Sequence, residues 1–266
     1  MSKIVIHMRP TIPWHKRWVK FFVTGFKKHG IDVVVSSSAQ VTRGCDIAIL
    51  FGPNMWKAIE SSGVSYLMVN RKFFGVEEHV AGDIVAMGWN GFNGPATFCV
   101  EDVSPDRLRK FLDPEKEIQE WKSGGTNILI CGQADLGRCT SYSNLEKWYN
   151  QVKITVNSLV KFRSHPTRKK LIPLDEELEN VKVAITLNSL VAIEILMAGI
   201  PVISMDENSP VYGVTGHSLN DIKYPNRLEL FQYLAHCQWY YTEIESGKFW
   251  EQLYPKRGLP LKEYAQ

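Results

Sequence analysis

The segment 181–204, VKVAITLNSLVAIEILMAGIPVIS, leaves a folding chain few choices. Val181 to Ile185 is a short, mostly β-branched apolar run, as expected of a strand covered on both faces in a parallel sheet. Thr186, Leu187, Asn188 and Ser189 interrupt it with polar side chains suited to a helix start. Leu190 to Met197 carries helix formers, Gly199 supplies a stop, and Ile200 to Ser204, with Pro201 at its opening, returns to a buried strand. Such a βαβ unit sets the helix start at the carboxyl edge of the sheet. Ligands of open α/β sheets bind there, and free N–H groups with the helix dipole favour a phosphate. An ordinary crossover whose Thr and Ser only cap the helix accounts for this segment equally well.

A second signal stands upstream. VKFRSHP, from Val160 to Pro166, closes a strand-like stretch from Lys153 to Val160 and places Arg163 and His165 in a loop stiffened by Pro166. Arginine offers a planar fork of donors to phosphate oxygens, and histidine adds a shorter donor or a proton carrier. Followed by the T-x-N-S start and E-x-x-x-x-G, this loop resembles the donor half of GT-B glycosyltransferases, especially the capsule-type sugar transferases. In those enzymes an R-P-H-P loop precedes a T-x-x-S helix and E-A-L-x-x-G-x-P-V. Here the pattern reads Arg163, Ser164, His165, Pro166; Thr186, Asn188, Ser189; Glu194, Gly199, Pro201, Val202. Ser164 replaces the more usual proline, and Ile195 replaces the small residue after the glutamate.

The chain of 266 residues is long enough for one large or two small α/β domains. No apolar run approaches the roughly 20 residues of a bilayer span, and MSKIVIHMRP runs straight into a strand pattern, so neither a membrane segment nor a signal peptide is expected. The five cysteines, Cys45, Cys99, Cys131, Cys139 and Cys237, are scattered without C-x-x-C spacing. They suit a reducing cytoplasm, the host's if the protein is viral, and argue against structural zinc. A net charge of +3 does not by itself demand a nucleic-acid partner. Lys16, Arg17, Lys20, Lys27 and Lys28 cluster early, and Arg168, Lys169 and Lys170 follow the RxHP loop; both clusters would suit a polyanionic substrate, although solvated faces explain most such runs.

Strand patterns at Lys3–Met8, Ile31–Ser36, Cys45–Phe51, Val64–Asn70 and Ile84–Gly88 alternate with helical ones at Trp14–Lys28 and Met55–Ser61. This alternation predicts a parallel, doubly wound sheet. The glycine-rich GWNGFNGPATFC then reads as a shaped loop in which Trp89, Asn90 and Phe92 offer stacking surface and amides to a sugar or base, or as a connector with a buried aromatic anchor. Asp113 to Ser123 reads as a linker. Asn127 to Gly132 opens a second unit with a Ser143–Gln151 helix, Ser209–Ser218 is a loop carrying Tyr212 and His217, and Arg227 to Trp250 reads as helical. The expected organisation is an α/β chain of GT-B type, with two facing Rossmann-like parallel-sheet domains across a cleft. Residues 1–120 would form the N-terminal acceptor domain, 121–240 the donor domain, and 241–266 a helical tail packing back on the first.

The resemblance implies a nucleotide-sugar co-substrate, a UDP-sugar by preference, with no further cofactor. Gly132 and Gln133 would lie beneath the diphosphate, Arg163, His165, Thr186, Asn188 and Ser189 would neutralise it, and Glu194 would hold the donor ribose. Fixed donors of this kind stabilise the charge that develops on the leaving group. His15, between the first strand's loop and the first helix, is the candidate base, with Asp46, Glu101 and Asp102 as rivals. No D-x-D motif occurs, which fits a metal-independent transferase. For the acceptor, GWNGFNGPATFC and the basic N-terminal half resemble bacteriophage proteins of DNA-base glycosylation. That resemblance implies a hydroxymethylpyrimidine in double-stranded DNA, with Arg17, Trp89, Asn90 and Phe92 as acceptor-binding residues. A surface-polysaccharide transferase, a non-catalytic nucleotide- or DNA-binding module, and a sugar-nucleotide hydrolase or epimerase remain open beside it.

Overall fold

Strands β1 (Ile4–His7) and β3 (Ile47–Phe51) are buried at every position, as central strands of an α/β sheet must be when helices cover both faces. The computed structural model describes residues 3–38, 40–53, 55–75, 83–91, 93, 103–133, 145–155, 159–165 and 172–256. The chain divides into two units, one running through Arg107 and resuming at Gln232, the other spanning Leu108–Phe231. These division points lie at 107/108 and 231/232, whereas the sequence pattern places them at 120/121 and 240/241.

The first unit holds a six-stranded sheet in the order β10-β5-β4-β3-β1-β2, where β2 is Val33–Ser36, β4 Ser65–Arg71, β5 Ile84–Trp89 and β10 Gln238–Tyr240. β2, β1, β3 and β4 run parallel. β5 is antiparallel to β4, and β10 antiparallel to β5, so the sheet is mixed, not purely parallel. Helix α1 (Pro13–Lys28) opens on a proline at N1, a favoured position because proline lacks only an N–H that would be orphaned there. It buries Trp18, Val19, Phe22, Gly25 and Phe26 on one face at helical spacing.

The expected long helix from Arg227 to Trp250 is broken into α8 (Arg227–His236), β10, α9 (Tyr241–Glu245) and α10 (Lys248–Leu253). Three residues of that run pair with β5 instead, where Gln238 Oε1 also accepts the Phe73 and Phe74 amides at 2.5 and 3.1 Å. α9 crosses α1 at Gly25, where a Cβ would meet the Ile244 carbonyl oxygen at 2.0 Å. Phe249 then lies 5.2 Å from Phe22, and Trp250 lies 4.8 Å from Phe26, both edge to face. Burying two such side chains contributes roughly 2–3 kcal/mol each, and the ring pairs add about 1 kcal/mol.

The second unit has a four-stranded parallel sheet in the order β7-β6-β8-β9, made of β6 (Asn127–Cys131), β7 (Val160–Arg163), β8 (Val181–Thr186) and β9 (Val202–Ser204). Of the stretch expected to be strand from Lys153 to Val160, the residues to Thr155 are helical, Val160 opens β7, and 156–158 lie outside the described residues. Helix α5 (Leu145–Thr155) takes the first residues of that stretch, because Trp148 and Val152, one helical turn apart, are both buried in the core with Ile128, Ile130, Val183 and Ile185. Helix α7 (Val191–Met197) ends at Gly199, whose φ of +79° favours glycine. There the supposed linker docks: Gln119 N–H donates to Met197 O and Lys122 N–H to Gly199 O, both at 2.8 Å. Among the described residues no helix is long and apolar enough to cross a membrane.

Candidate functional site

Sheet order brings three loops of the second unit side by side, those after β6, β8 and β9. They carry Gln133, Asn188, Asp206 and Asn208. Gln133 Nε2 donates to Asn188 Oδ1 at 2.7 Å, and Asn188 Nδ2 donates to Asp206 Oδ1 at 3.4 Å. The same carboxylate oxygen accepts the Asn208 amide N–H at 3.0 Å and its Nδ2 at 2.9 Å. The result is a buried polar network at the carboxyl ends of the strands. Three atoms in it or beside it, Gln133 Oε1, Thr186 Oγ1 and Asn208 Oδ1, are buried without a hydrogen-bond partner among the described residues. Buried polar groups are nearly always satisfied, so a group of orphans at one sheet edge calls for a ligand or water.

Four expected donor-site residues gather here, Thr186 at the end of β8 and Gln133, Asn188 and Ser189 on the loops, but their work differs in part from expectation. Ser189 Oγ accepts the Val191 amide at 3.4 Å, a local turn, and Thr186 caps nothing. The seven residues of α7 make under two turns, so its dipole offers a phosphate little. Gly132 packs tightly under β7, where a Cβ would lie 3.1 Å from the Phe162 ring and 3.2 Å from the Arg163 carbonyl oxygen.

Arg163, expected to clasp a phosphate, instead pairs through Nη1 with the Glu177 carboxylate of α6 (Leu174–Glu177) and with the Ile172 carbonyl at 2.9 Å. A phosphate would have to displace Glu177 from that nitrogen. His165 is half-buried on the loop beyond β7. Glu194 keeps a solvent-facing surface on α7; the surrounding protein pushes its carboxyl above the usual range, and the Arg163 guanidinium pulls it back. Cys131, at the end of β6, has its thiol pushed up to about 12 by burial, against the pull of Arg163, and stays protonated. Beside the network, Tyr212 and His217 stack at 3.9 Å, and His217 Nδ1 lies 3.0 Å from the Ser204 carbonyl oxygen.

In the first unit the carboxyl ends of β1, β2 and β3 enclose a pocket of about 140 Å³ lined by His7, Arg9, His15, Ser38, Phe51 and Met55 among others. His15 stacks on Phe51 at 5.0 Å, and its Nδ1 accepts the Arg9 amide N–H at 3.0 Å. A ring nitrogen that accepts a backbone N–H carries no proton, so the neutral ring holds its proton on Nε2. In this arrangement His15, expected as a base, presents a donor to the pocket at Nε2. Burial, then the charge of Arg9, lowers its pKa, and burial lowers that of His7 against a smaller opposing effect of the Ser38 backbone.

Of the residues expected to bind the acceptor, the described ones, Trp89, Asn90 and Arg17, are each engaged within the first unit. Trp89 is fully buried in the first core, and its Nε1 donates to the Leu253 carbonyl at 3.0 Å. It is the buried anchor of its loop. Asn90, at φ +52°, accepts the Tyr66 amide on its Oδ1 at 2.9 Å and so terminates β5. Arg17 pairs with Asp83. Phe92 lies outside the described residues. His7, Asp206 and Asn208 escaped the sequence reading; the D-x-N one residue beyond a buried strand was the available signal for the last two. Among the described residues no group of three or more His, Cys, Asp or Glu side chains is placed to hold a metal ion.

No protein-family model and no curated protein matches the sequence. Among solved structures, the beta Kdo 2,4 transferase of Thermosulfurimonas dismutans KpsC aligns at a TM-score of 0.47 and 12% identity, over 88% of this chain and 90% of that one. The beta Kdo 2,7 transferase of the same KpsC aligns at a TM-score of 0.57 and 14% identity, over 90% of this chain and 92% of that one. At such identity the likeness is one of fold, a mixed α/β architecture with parallel strands.

Proposed function

We propose that this chain is a glycosyltransferase that moves a sugar from a nucleotide-sugar donor to a hydroxyl of a surface polysaccharide. The second unit holds the donor and the first the acceptor, the division of labour of a GT-B enzyme. The observation that carries the reading is the trio of orphaned polar atoms, Gln133 Oε1, Thr186 Oγ1 and Asn208 Oδ1, at the carboxyl edge of β6, β8 and β9. They present acceptors and a hydroxyl to the hydroxyl-rich ribose and sugar of a donor, on the sheet edge where open α/β folds bind ligands. The capsule-type acceptor is preferred because the fold is that of a protein described as a beta Kdo 2,7 transferase.

The donor diphosphate needs positive charge as it departs. Arg163 and His165 supply it, Arg163 by exchanging Glu177 for phosphate oxygens as the donor enters. Glu194 holds the donor ribose, a task that its raised pKa suits in either protonation state, since a carboxyl donates when neutral and accepts when ionised.

The test is a matrix of nucleotide sugars against capsule-type oligosaccharides and hydroxymethylpyrimidine-containing DNA, with products read by mass spectrometry. A sugar adduct on the oligosaccharide, lost in Gln133→Ala and Asn208→Ala, is the expected result. An adduct on DNA alone would move the acceptor to the base, free sugar without adduct would mean hydrolysis, and saturable nucleotide binding without turnover would mean a binding module.

A further inference from the structure

The pocket at the carboxyl ends of β1, β2 and β3 lies in the first unit and owes nothing to the donor network. His7 is only 4% exposed, yet neither ring nitrogen makes a hydrogen bond of ordinary geometry among the described residues. An imidazole desolvated in this way forfeits the partners that water would supply, and burial lowers its pKa as a result. It lines the pocket together with His15, whose Nε2–H is left over once Nδ1 has accepted the Arg9 amide.

Three further observations give the pocket its sign. Arg9 lines it, and no carboxylate does among the described residues. Helix α1 begins there with His15 in its first turn; its N-cap, Ile12, makes no side-chain cap and no acidic residue stands in that turn. The positive end of a sixteen-residue helix is therefore uncompensated by the chain itself. Ser37 and Ser38, at the end of β2, complete a wall of small polar groups.

We propose that this pocket binds an oxyanion, the carboxylate or phosphate-type group of a substrate, through His7, the Nε2–H of His15 and the Arg9 guanidinium at the mouth. A volume of about 140 Å³ is ample for such a group. That the oxyanion belongs to the acceptor rests on the transferase reading; that the pocket binds one does not.

The groups that face the ligand and change or carry charge are His7 from β1, Arg9 from the loop after it and His15 from α1; β2 and β3 contribute serine and apolar side chains only. Without ligand, burial and Arg9 hold both imidazoles neutral near pH 7. A bound anion favours the imidazolium form of His7, whose two ring nitrogens are both unpartnered among the described residues, while His15 stays neutral with Nδ1 on the Arg9 amide; binding therefore takes up a proton at His7 and tightens as pH falls from 8 to 6.

The experiment follows histidine ring resonances of the full 15N-labelled chain while sodium sulfate or sodium glucuronate is added, against sodium chloride at matched ionic strength. Both probes keep their charge between pH 6 and 8. Saturable shifts of His7 and His15, stronger at pH 6, are expected, with a preference for glucuronate identifying a sugar carboxylate and one for sulfate a phosphate-type group. Arg9→Ala, at an exposed position, is expected to weaken binding about tenfold, as is His7→Asn. If His7→Asn fails to fold, Arg9→Ala still decides. Shifts that chloride reproduces, no saturable shift of either ring, or undiminished binding by Arg9→Ala would overturn the proposal. Oxyanion binding without sugar transfer would leave it standing while the transferase reading fell.

Discussion

Thr186→Val exchanges one hydroxyl for a methyl and leaves the shape of the side chain unchanged. Thr186 is fully buried at the end of β8, and its Oγ1 has no partner among the described residues, while its main-chain oxygen accepts the Met205 amide at 2.9 Å in either variant. A buried hydroxyl without a hydrogen bond costs about 1–3 kcal/mol, and valine suits a strand at least as well as threonine. Valine should therefore stabilise the second unit by about 1 kcal/mol, the lower bound being apt because the added methyl must fit the existing packing. Amide exchange of β6 and β8 peptides through global opening should slow about fivefold. Affinity for the donor nucleotide sugar, measured by calorimetry, should fall about tenfold with the loss of one strong hydrogen bond. Gain of stability with loss of affinity is the signature of a group held in reserve for a ligand. A less stable variant would show that the hydroxyl is satisfied within the folded chain, and a more stable one with unchanged affinity would remove Thr186 from the donor site.

Trp89→Phe should destabilise the first unit by about 1–3 kcal/mol in urea titrations, through lost packing and the lost bond to Leu253, and leave acceptor KM unchanged; a raised KM at parental stability would restore Trp89 to the acceptor site. Gly199→Ala combines a φ of +79° with a Cβ only 2.0 Å from the Glu120 carbonyl oxygen. It should cost about 2–4 kcal/mol, and a neutral substitution in a denaturation assay would contradict the docking of residues 119–122. His7, His15 and His236 all have pKa values lowered chiefly by burial, so above about pH 6.5 they are neutral in both folded and unfolded chains and add no pH dependence. Below it the unfolded imidazoles take up protons that the folded ones refuse, so stability should fall from pH 6.5 toward 5; constant stability across that window in urea titrations would count against burial as the cause.

Local pattern sufficed for the elements whose neighbours in sequence are also their neighbours in space. The β8–α7–β9 unit stands within a residue or two of its reading from 181–204, since β-branched composition, helix formers and Gly199 act over a few residues each. Where the partner lay far along the chain, pattern misled. Gln238–Tyr240 looks helical by spacing, yet it pairs with Ile84–Ala86 across the sheet, and the apolar Trp148 and Val152 made a helix out of the start of a stretch with strand-like composition. Trp89 in a glycine-rich loop reads as a stacking platform until its indole is found bonded to Leu253, from the far end of the chain.

The sequence alone determined that the chain is α/β, that its second half is a parallel unit, and that polar residues gather after β6 and β8, because each depends on periodicity and short-range backbone preference. Only the tertiary structure decided what those residues do. Asn208 and Asp206 join Gln133 and Asn188 through strand order; Arg163 meets Glu177 because α6 returns to β7; His15 becomes a donor because one backbone N–H, that of Arg9, occupies its other nitrogen. Each is a matter of which hydrogen-bond partner lies within about 3 Å, and sequence spacing carries no information at that range about groups brought together by sheet order and loop return.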